Sequence, residues 1–331
     1  MTTLFYLSTS KVRGTVLMGN QVRRLFLPVF LFTAICSRTL LFGQSAASRS
    51  EKASALTYHS DVSEVRLVFF ATDEHHHAVQ DLQKTDFAVV DDERVIRDFR
   101  SFTRPAAIKL DVIVLFDSSD SVLPHFKQEI TEVLHLVSQW PWGPEDNVSV
   151  LSFSGTEAHP VCAGDCRNSF TAARVASLPT GGSTPLFDAL DTAASLLSKR
   201  RQPDVWPVIA LFSDGDDTIS KASFKRAIEK TLTSEAQVYT IDVGNPGQPS
   251  NGAAMLQEIA DESGGRYVRI REGAARIFTD VIDDLHSARV VTYGLPESGS
   301  DFHSIRILPT HNLNWQFRCR RGYYYRSDIA H

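Results

Sequence analysis

The chain has 331 residues, 43% of them hydrophobic and 22% charged, with a formal net charge of −5. This is room for one large domain plus a small one, at ordinary globular composition. The negative balance argues against a nucleic-acid partner, whose phosphates call for an excess of Lys and Arg.

The N-terminus does not read as globular. Arg23 and Arg24 precede an apolar run from Leu25 to Cys36, and Leu40-Leu41-Phe42 then leads into Ser45-Ala46-Ala47. A positive flank, a short apolar centre and small residues describe a secretory signal peptide over residues 1–47, cleaved near Ala46 or Ala47. Counted from Met18, the charged flank has the usual length. A membrane span needs ~20 apolar residues. This run is shorter and Arg38 interrupts it, so membrane attachment is expected only if the segment is retained as an anchor. A secreted or periplasmic bacterial protein is the expectation. Residues 48–63 read as a polar linker.

In residues 64–105, Val65 to Ala71 reads as a strand, His75-His76-His77 as part of a solvated turn, and Phe87 to Val90 as a second strand. Asp91-Asp92 then turns the chain, and Val95 to Phe102 continues the sheet. From Leu110 the pattern changes. Leu110 to Phe116 is nearly continuous in apolar residues, as in a strand buried on both faces of a parallel sheet. Phe126, Ile130, Val133, Leu134 and Val137 follow at helical spacing. Strands are expected at 148–153, 208–212, 238–243 and 267–270. Helices are expected after Pro185, around Phe224 to Leu232, at 255–260 and around Ile277 to Leu285. Over residues 108–288 this alternation predicts an α/β domain with a doubly wound, mostly parallel sheet. Residues 289–331 return to strands at 290–295, 303–308 and 313–319. The flanking β segments are expected to pair with each other into one small β domain.

Among the cysteines, Cys162 and Cys166 are spaced to close a local disulfide in an oxidising compartment, whereas a zinc half-site would lack its second ligand pair. Cys319 alternates with Trp315 and Phe317 on one strand face and reads as a buried, inert thiol.

Ligands of open α/β sheets sit outside the carboxyl ends of the strands. Three segments there carry oxygen-bearing side chains: Asp117-Ser118-Ser119-Asp120-Ser121, Gly181-Gly182-Ser183-Thr184, and Ser213-Asp214-Gly215-Asp216-Asp217. Asp117, Ser119 and Ser121 alternate, so an extended loop points them one way. With Thr184 and Asp214 they form an all-oxygen set without His or Cys, suited to a hard cation: Mg²⁺, Mn²⁺ or Ca²⁺. Asp216 and Asp217 read as helix-start acids.

These five residues resemble the metal-ion-dependent adhesion site (MIDAS) of von Willebrand factor A (vWA) domains, D-x-S-x-S followed by a distant T and a distant D in an S-D-G context. The residues 85–92, Thr-Asp-Phe-Ala-Val-Val-Asp-Asp, and the terminal Arg321-Gly322-Tyr323-Tyr324 are similar to a hairpin and an ending of A-domain-related secreted proteins abundant in Acidobacteria. The resemblance spans nearly the whole chain after the signal peptide. It implies a vWA, Rossmann-like domain flanked by paired β segments and no known ligand; that a cation held by neutral hydroxyls bridges to a partner carboxylate is what the chemistry of the oxygen set suggests. Asp120 stands where Gly is usual. An extra carboxylate there weakens the pull on an acidic partner, faces solvent, or favours Ca²⁺, and the sequence leaves these open.

No G-x-S-x-G elbow, H-E-x-x-H motif or Walker A loop is present. A phosphatase using Asp117 as nucleophile fits less well, because serines occupy the next two alternate positions. The expected function is therefore non-enzymatic: an exported adhesion module that grips a protein's acidic side chain, with neither nucleic acid nor small-molecule substrate. The alternative is a structural or assembly component of the cell envelope, with the vWA scaffold acting without metal.

Overall fold

The computed structural model describes residues 64–324, apart from 105–108, 140–141, 164–165, 168–170, 176, 245–248, 270–283 and 297–300. The signal peptide and linker assigned to 1–63 lie outside the described residues, as does most of the helix expected around Ile277 to Leu285. Among the described residues no helix is long and apolar enough to cross a membrane.

Strands β1 (Glu64–Thr72), β2 (Phe87–Asp91), β3 (Arg94–Ile96) and β4 (Ser101–Thr103) come first. The alternating part follows as β5 (Lys109–Asp117), α1 (Phe126–Gln139), β6 (Asn147–Ser154), β7 (Glu157–Cys162), α2 (Ala172–Val175), α3 (Leu186–Lys199), β8 (Val205–Ser213), α4 (Phe224–Thr233), β9 (Gln237–Asp242), α5 (Ala253–Ser263) and β10 (Tyr267–Arg269). A helical stretch at 284–287 leads into β11 (Arg289–Gly294), β12 (Phe302–Pro309), β13 (Gln316–Cys319) and β14 (Gly322–Tyr324).

The alternating part forms a six-stranded sheet in the order β10-β9-β8-β5-β6-β7. Its strands are parallel except β7, which runs antiparallel along the edge. The apolar run of β5 explains its central place. Val112, Val114 and Phe116 point into one core with Ile130, Val133 and Val137 of α1. Ile113 and Leu115 point into the opposite core, against Leu186, Ala189, Leu190 and Ala193 of α3. Both faces are covered, so neither needs polar alternation. Strand β7 does not follow from hydrophobic periodicity. It carries Pro160, which an edge strand tolerates because one side of its ladder is unpaired. A disulfide joins Cys162 at its end to Cys166.

The flanking strands form two four-stranded sheets, β13-β1-β11-β4 and β14-β12-β2-β3. Leu67, Phe69, Phe87, Val89, Val291, Tyr293, Ile305 and Ile307 fill the space between them. The stretch Val95 to Phe102 does not continue one sheet. Its start pairs with β2 and its end with β11, so the chain crosses from one sheet to the other. Phe99 stacks on Phe87 and Phe102 meets the same ring at a tilt, and bringing these rings into the core is the reason for the crossing. Cys319 packs against this core, and burial pushes its thiol up to about 12. At the 73–77 turn, Asp73 accepts hydrogen bonds from the backbone N–H groups of His75 and His77.

The sandwich has a polar centre. Asp91 is fully buried, and its Oδ2 accepts hydrogen bonds from the hydroxyls of Tyr293 at 2.8 Å and Tyr323 at 2.9 Å. His303 Nδ1 lies 3.1 Å from Oδ1. Four strands from both sheets thus meet on one carboxylate. Burial, then the Asp91 charge, raises the phenol pKa of both tyrosines and keeps them as donors. Asp91→Ala strands the buried hydroxyls of Tyr293 and Tyr323, whereas His303 keeps Asp92, 3.3 Å from its Nδ1. Each such orphan costs about 1–3 kcal/mol, so chemical denaturation is expected to show a loss of about 2 kcal/mol or more. Tyr323→Phe, which removes one of the two hydroxyl donors, is expected to lose about 1 kcal/mol. Equal stability of Asp91→Ala and the parent would refute this role.

Candidate metal centre

Strand β5 ends at Asp117, and the chain turns outward through Ser119 and Ser121. Asp117 and Ser119 are fully buried, whereas Ser121 is exposed. The turn closes on its own carboxylate, with the Ser119 N–H donating to Asp117 Oδ1 at 2.9 Å. From β8, the Ser213 hydroxyl donates to Asp117 Oδ2 at 2.8 Å. These two bonds fix the plane of the carboxylate. The hydroxyls of Ser119 and Ser121 lie 3.2 Å apart, which places both on one side of the turn.

The Thr184 loop is tied to this turn by its backbone. Gly181 N–H donates to Ser118 O at 2.7 Å, and Asp120 N–H donates to Gly182 O at 3.0 Å. Thr184 is in turn locked to the loop after β8. Its N–H donates to the Thr218 hydroxyl at 2.8 Å, and Thr218 N–H donates to Thr184 O at 2.9 Å. Asp214 opens that loop and is half-buried, close enough for its charge to act on Asp117. The three segments are thus knitted together at the carboxyl ends of β5 and β8.

A close backbone approach holds the Asp214 loop down. Gly215 has φ +84°, and a Cβ there would fall 2.3 Å from Gly252 O. Gly244 and Ser250 are both held by Asp242, which accepts from their N–H groups. The Ser250 hydroxyl donates to Asp214 O at 2.6 Å. Asp217 is a helix-start acid, but of α3, where it accepts from Phe187 N–H at 3.3 Å. Asp120 is exposed, and its carboxylate lies over Gly181, 2.8 Å from where a Cβ would sit.

Two residues at this centre escape a motif-based reading. Ser213 is the second anchor of Asp117, signalled only by its place before Asp214. Glu129 is fully buried on α1, and neither of its carboxyl oxygens has a hydrogen-bond partner. It stands three residues after Phe126 and four before Val133, where helical periodicity calls for an apolar side chain.

The electrostatics are one-sided. Burial pushes Asp117 up to about 6, with the Asp214 charge adding to the rise and bonds from Ser119 and Ser213 opposing it. Burial raises Glu129 well above the ordinary range, as do the charges of Asp117 and Asp214. Burial and then Asp214 raise Asp216. Among the described residues, no Lys, Arg or His forms an ion pair with Asp117, Glu129, Asp214 or Asp216. Desolvated carboxylates without a counter-charge, beside hydroxyl donors, fit a hard divalent cation.

The von Willebrand factor type A domain family matches residues 111–283. The chain belongs to the von Willebrand factor type A family. Among curated proteins, the 60 kDa subunit of magnesium chelatase from Cereibacter sphaeroides is 28% identical over 198 residues, covering 54% of this chain and 35% of that subunit. The chain therefore spans about a third of that relative's length. Among solved structures, a von Willebrand factor type A protein from Catenulispora acidiphila is 14% identical, with a TM-score of 0.41 and coverage of 82% of this chain and 76% of that one. An aerotolerance-related membrane protein from Bacteroides fragilis is 18% identical, with a TM-score of 0.40, covering 53% of this chain and 98% of that one. Proximal thread matrix protein 1 from the mussel byssus, with a zinc-occupied MIDAS motif, is 16% identical, with a TM-score of 0.44 and coverage of 59% and 50%. The assignment rests on the family match and on the sheet order of the A domain.

The raised Asp117 value has a thermodynamic consequence for the metal-free A domain. Its folded value of about 6 lies above the ordinary 3.8, so the fold favours the protonated acid. That contribution is complete below the ordinary value and is lost as pH rises through about 6. In EDTA, the stability of the parent relative to Asp117→Asn is expected to fall between about pH 4 and about pH 7. A difference that stays flat across that range in thermal unfolding would contradict it.

Proposed function

We propose that this protein is an exported vWA-domain binding module. It holds a divalent cation, Mg²⁺ or alternatively Mn²⁺ or Ca²⁺, through Asp117, Ser119, Ser121, Thr184 and Asp214, and grips a carboxylate of a protein partner through that ion. The observation that carries this reading is that Asp117 and Glu129, both buried, lie beside half-buried Asp214 with no ion pair to any of the three among the described residues. The neutral hydroxyls of the set leave the ion electron-poor, so a partner's carboxylate gains a strong charge interaction. Exposed Ser121 marks the open side. Leu123 and Ile219, 41% and 44% exposed, stand in the same loops and suit a partner whose acid is flanked by apolar residues. Asp120 adds negative charge at the rim, which tempers attraction for acidic partners at low salt. The Cys162–Cys166 disulfide supports an oxidising compartment, in keeping with export. The site is a binding site rather than a catalytic one, since Asp117 is tied down by two hydrogen bonds and fully buried, a poor nucleophile.

A second reading is favoured by a different observation. Val95, Leu308 and Leu313 are 58%, 44% and 78% exposed on the sandwich, away from the metal centre. In that reading the protein is a structural or assembly component of the envelope, with the A domain as a metal-independent spacer.

One experiment separates them. Mg²⁺ at a hundredfold over its dissociation constant should stabilise the parent by about 2.7 kcal/mol relative to EDTA, and Asp117→Ala should abolish the difference while circular dichroism keeps the α/β signature. Unfolding that ignores Mg²⁺, Mn²⁺ and EDTA alike would remove the metal reading. Partner capture from envelope extract that survives Asp214→Ala would favour the sandwich surface.

A further inference from the structure

The sequence motif supplies two carboxylates, and the structure places a third beside them. Glu129 lies in the first turn of α1, the helix that packs across β5 beneath the Asp117 turn. It is completely buried, and both its oxygens lack a hydrogen-bond partner. Its carboxyl lies beside the Asp117 main-chain N–H without closing a hydrogen bond to it, and the charges of Asp117 and Asp214 both act on it.

An unpartnered buried carboxyl is expensive, by several kcal/mol when ionised. An apolar side chain at 129 would complete the buried stripe of α1 at no such cost. Purely structural use does not explain the acid, because a structural acid would be expected to find a donor. A cation does explain it. Two carboxylates leave a divalent ion balanced, and a third makes the loaded centre negative while tightening its hold on the ion.

We propose that Glu129 is a third carboxylate of the cation site, neutralising the ion from the buried side and holding it in place when no partner is bound. This rests on the metal reading above. In consequence, the ion stays in the site between partners, while exposed Ser121 leaves the outer side for a partner's carboxylate. Asp214 and Ser121 face the open side, and Glu129 closes the inner one.

The test is calorimetric titration of the full chain with MgCl₂ and with MnCl₂, comparing the parent, Glu129→Gln and Glu129→Leu. Gln keeps the shape and removes the charge, and Leu fills the apolar stripe. Both should bind Mg²⁺ and Mn²⁺ at least tenfold more weakly. In EDTA both should unfold at or above the parent's temperature, because a buried acid has been removed. Parallel affinities within twofold of the parent in either variant that folds would overturn the role of Glu129 and leave the metal reading standing. A parent that binds neither ion would overturn both. A loss of stability equal in EDTA and in Mg²⁺, with affinity unchanged, would mark Glu129 as a packing residue and also overturn the proposal.

Discussion

Ionised oxygen buried at the rim of a sheet has to be matched by positive charge, and among the described residues no Lys, Arg or His forms an ion pair with Asp117, Glu129 or Asp214. Asp117 has no exposed surface, yet the groups that touch it are a backbone N–H and a serine hydroxyl. Dipoles of that kind stabilise a carboxylate only in part, which is why burial still dominates and lifts its pKa. Salt bridges abound elsewhere in the molecule. Arg321 alone reaches Glu258, Asp261 and Glu262. The missing counter-charge is therefore a property of this rim rather than of a chain poor in cations.

The same rim is ordered by the protein itself. The Asp117 turn holds the Thr184 loop through Ser118 and Asp120, the Thr184 loop holds the Asp214 loop through Thr218, and Gly252 holds that loop from outside. None of these bonds runs through a cation. Loops already fixed lose little freedom when an ion arrives, so the binding free energy is not spent on ordering them. Gly215 shows how tight the arrangement is, since any side chain there would drive into the Gly252 carbonyl.

The alternating strands and helices are legible in the sequence because two-faced burial writes a simple signal. Leu110 to Phe116 is apolar without a break except Asp111, and α3 spaces Leu186, Ala189, Leu190, Ala193 and Leu197 on one face. Strand β7 is not legible, because edge strands are short, polar and tolerant of residues such as Pro160. Nor is the split of the flanking strands into two sheets, which depends on Phe99 and Phe102 meeting Phe87 from across the chain. The three loops of the centre can be picked out because Asp, Ser and Thr at strand ends are conspicuous. Ser213 and Glu129 could not be singled out that way. Serine before Asp214 is unremarked in a loop, and a glutamate in a helix is usually solvated. Both acids of α1 are buried, and Glu129, without exposed surface, is the deeper of the two.

The sandwich joins the A domain at the end of the sheet where the strands begin, opposite the metal centre. Arg66 of β1 donates to Pro203 O just before β8. Arg318 of β13 donates to Gly265 O just before β10 and pairs with Asp284. Gly264, with φ +76°, is where α5 ends against the backbone of Arg320, and a Cβ would close to 2.4 Å of the Arg320 nitrogen. β8 is nine residues long, so the two ends of the sheet stand roughly 30 Å apart at about 3.3 Å per residue. Groups that far apart without shared partners behave independently in energy. The molecule can then carry contacts on the sandwich while its strand ends hold a cation, and a change at one end leaves the chemistry of the other intact. That separation makes the two functional readings distinguishable by single substitutions, because neither surface has to fold through the other.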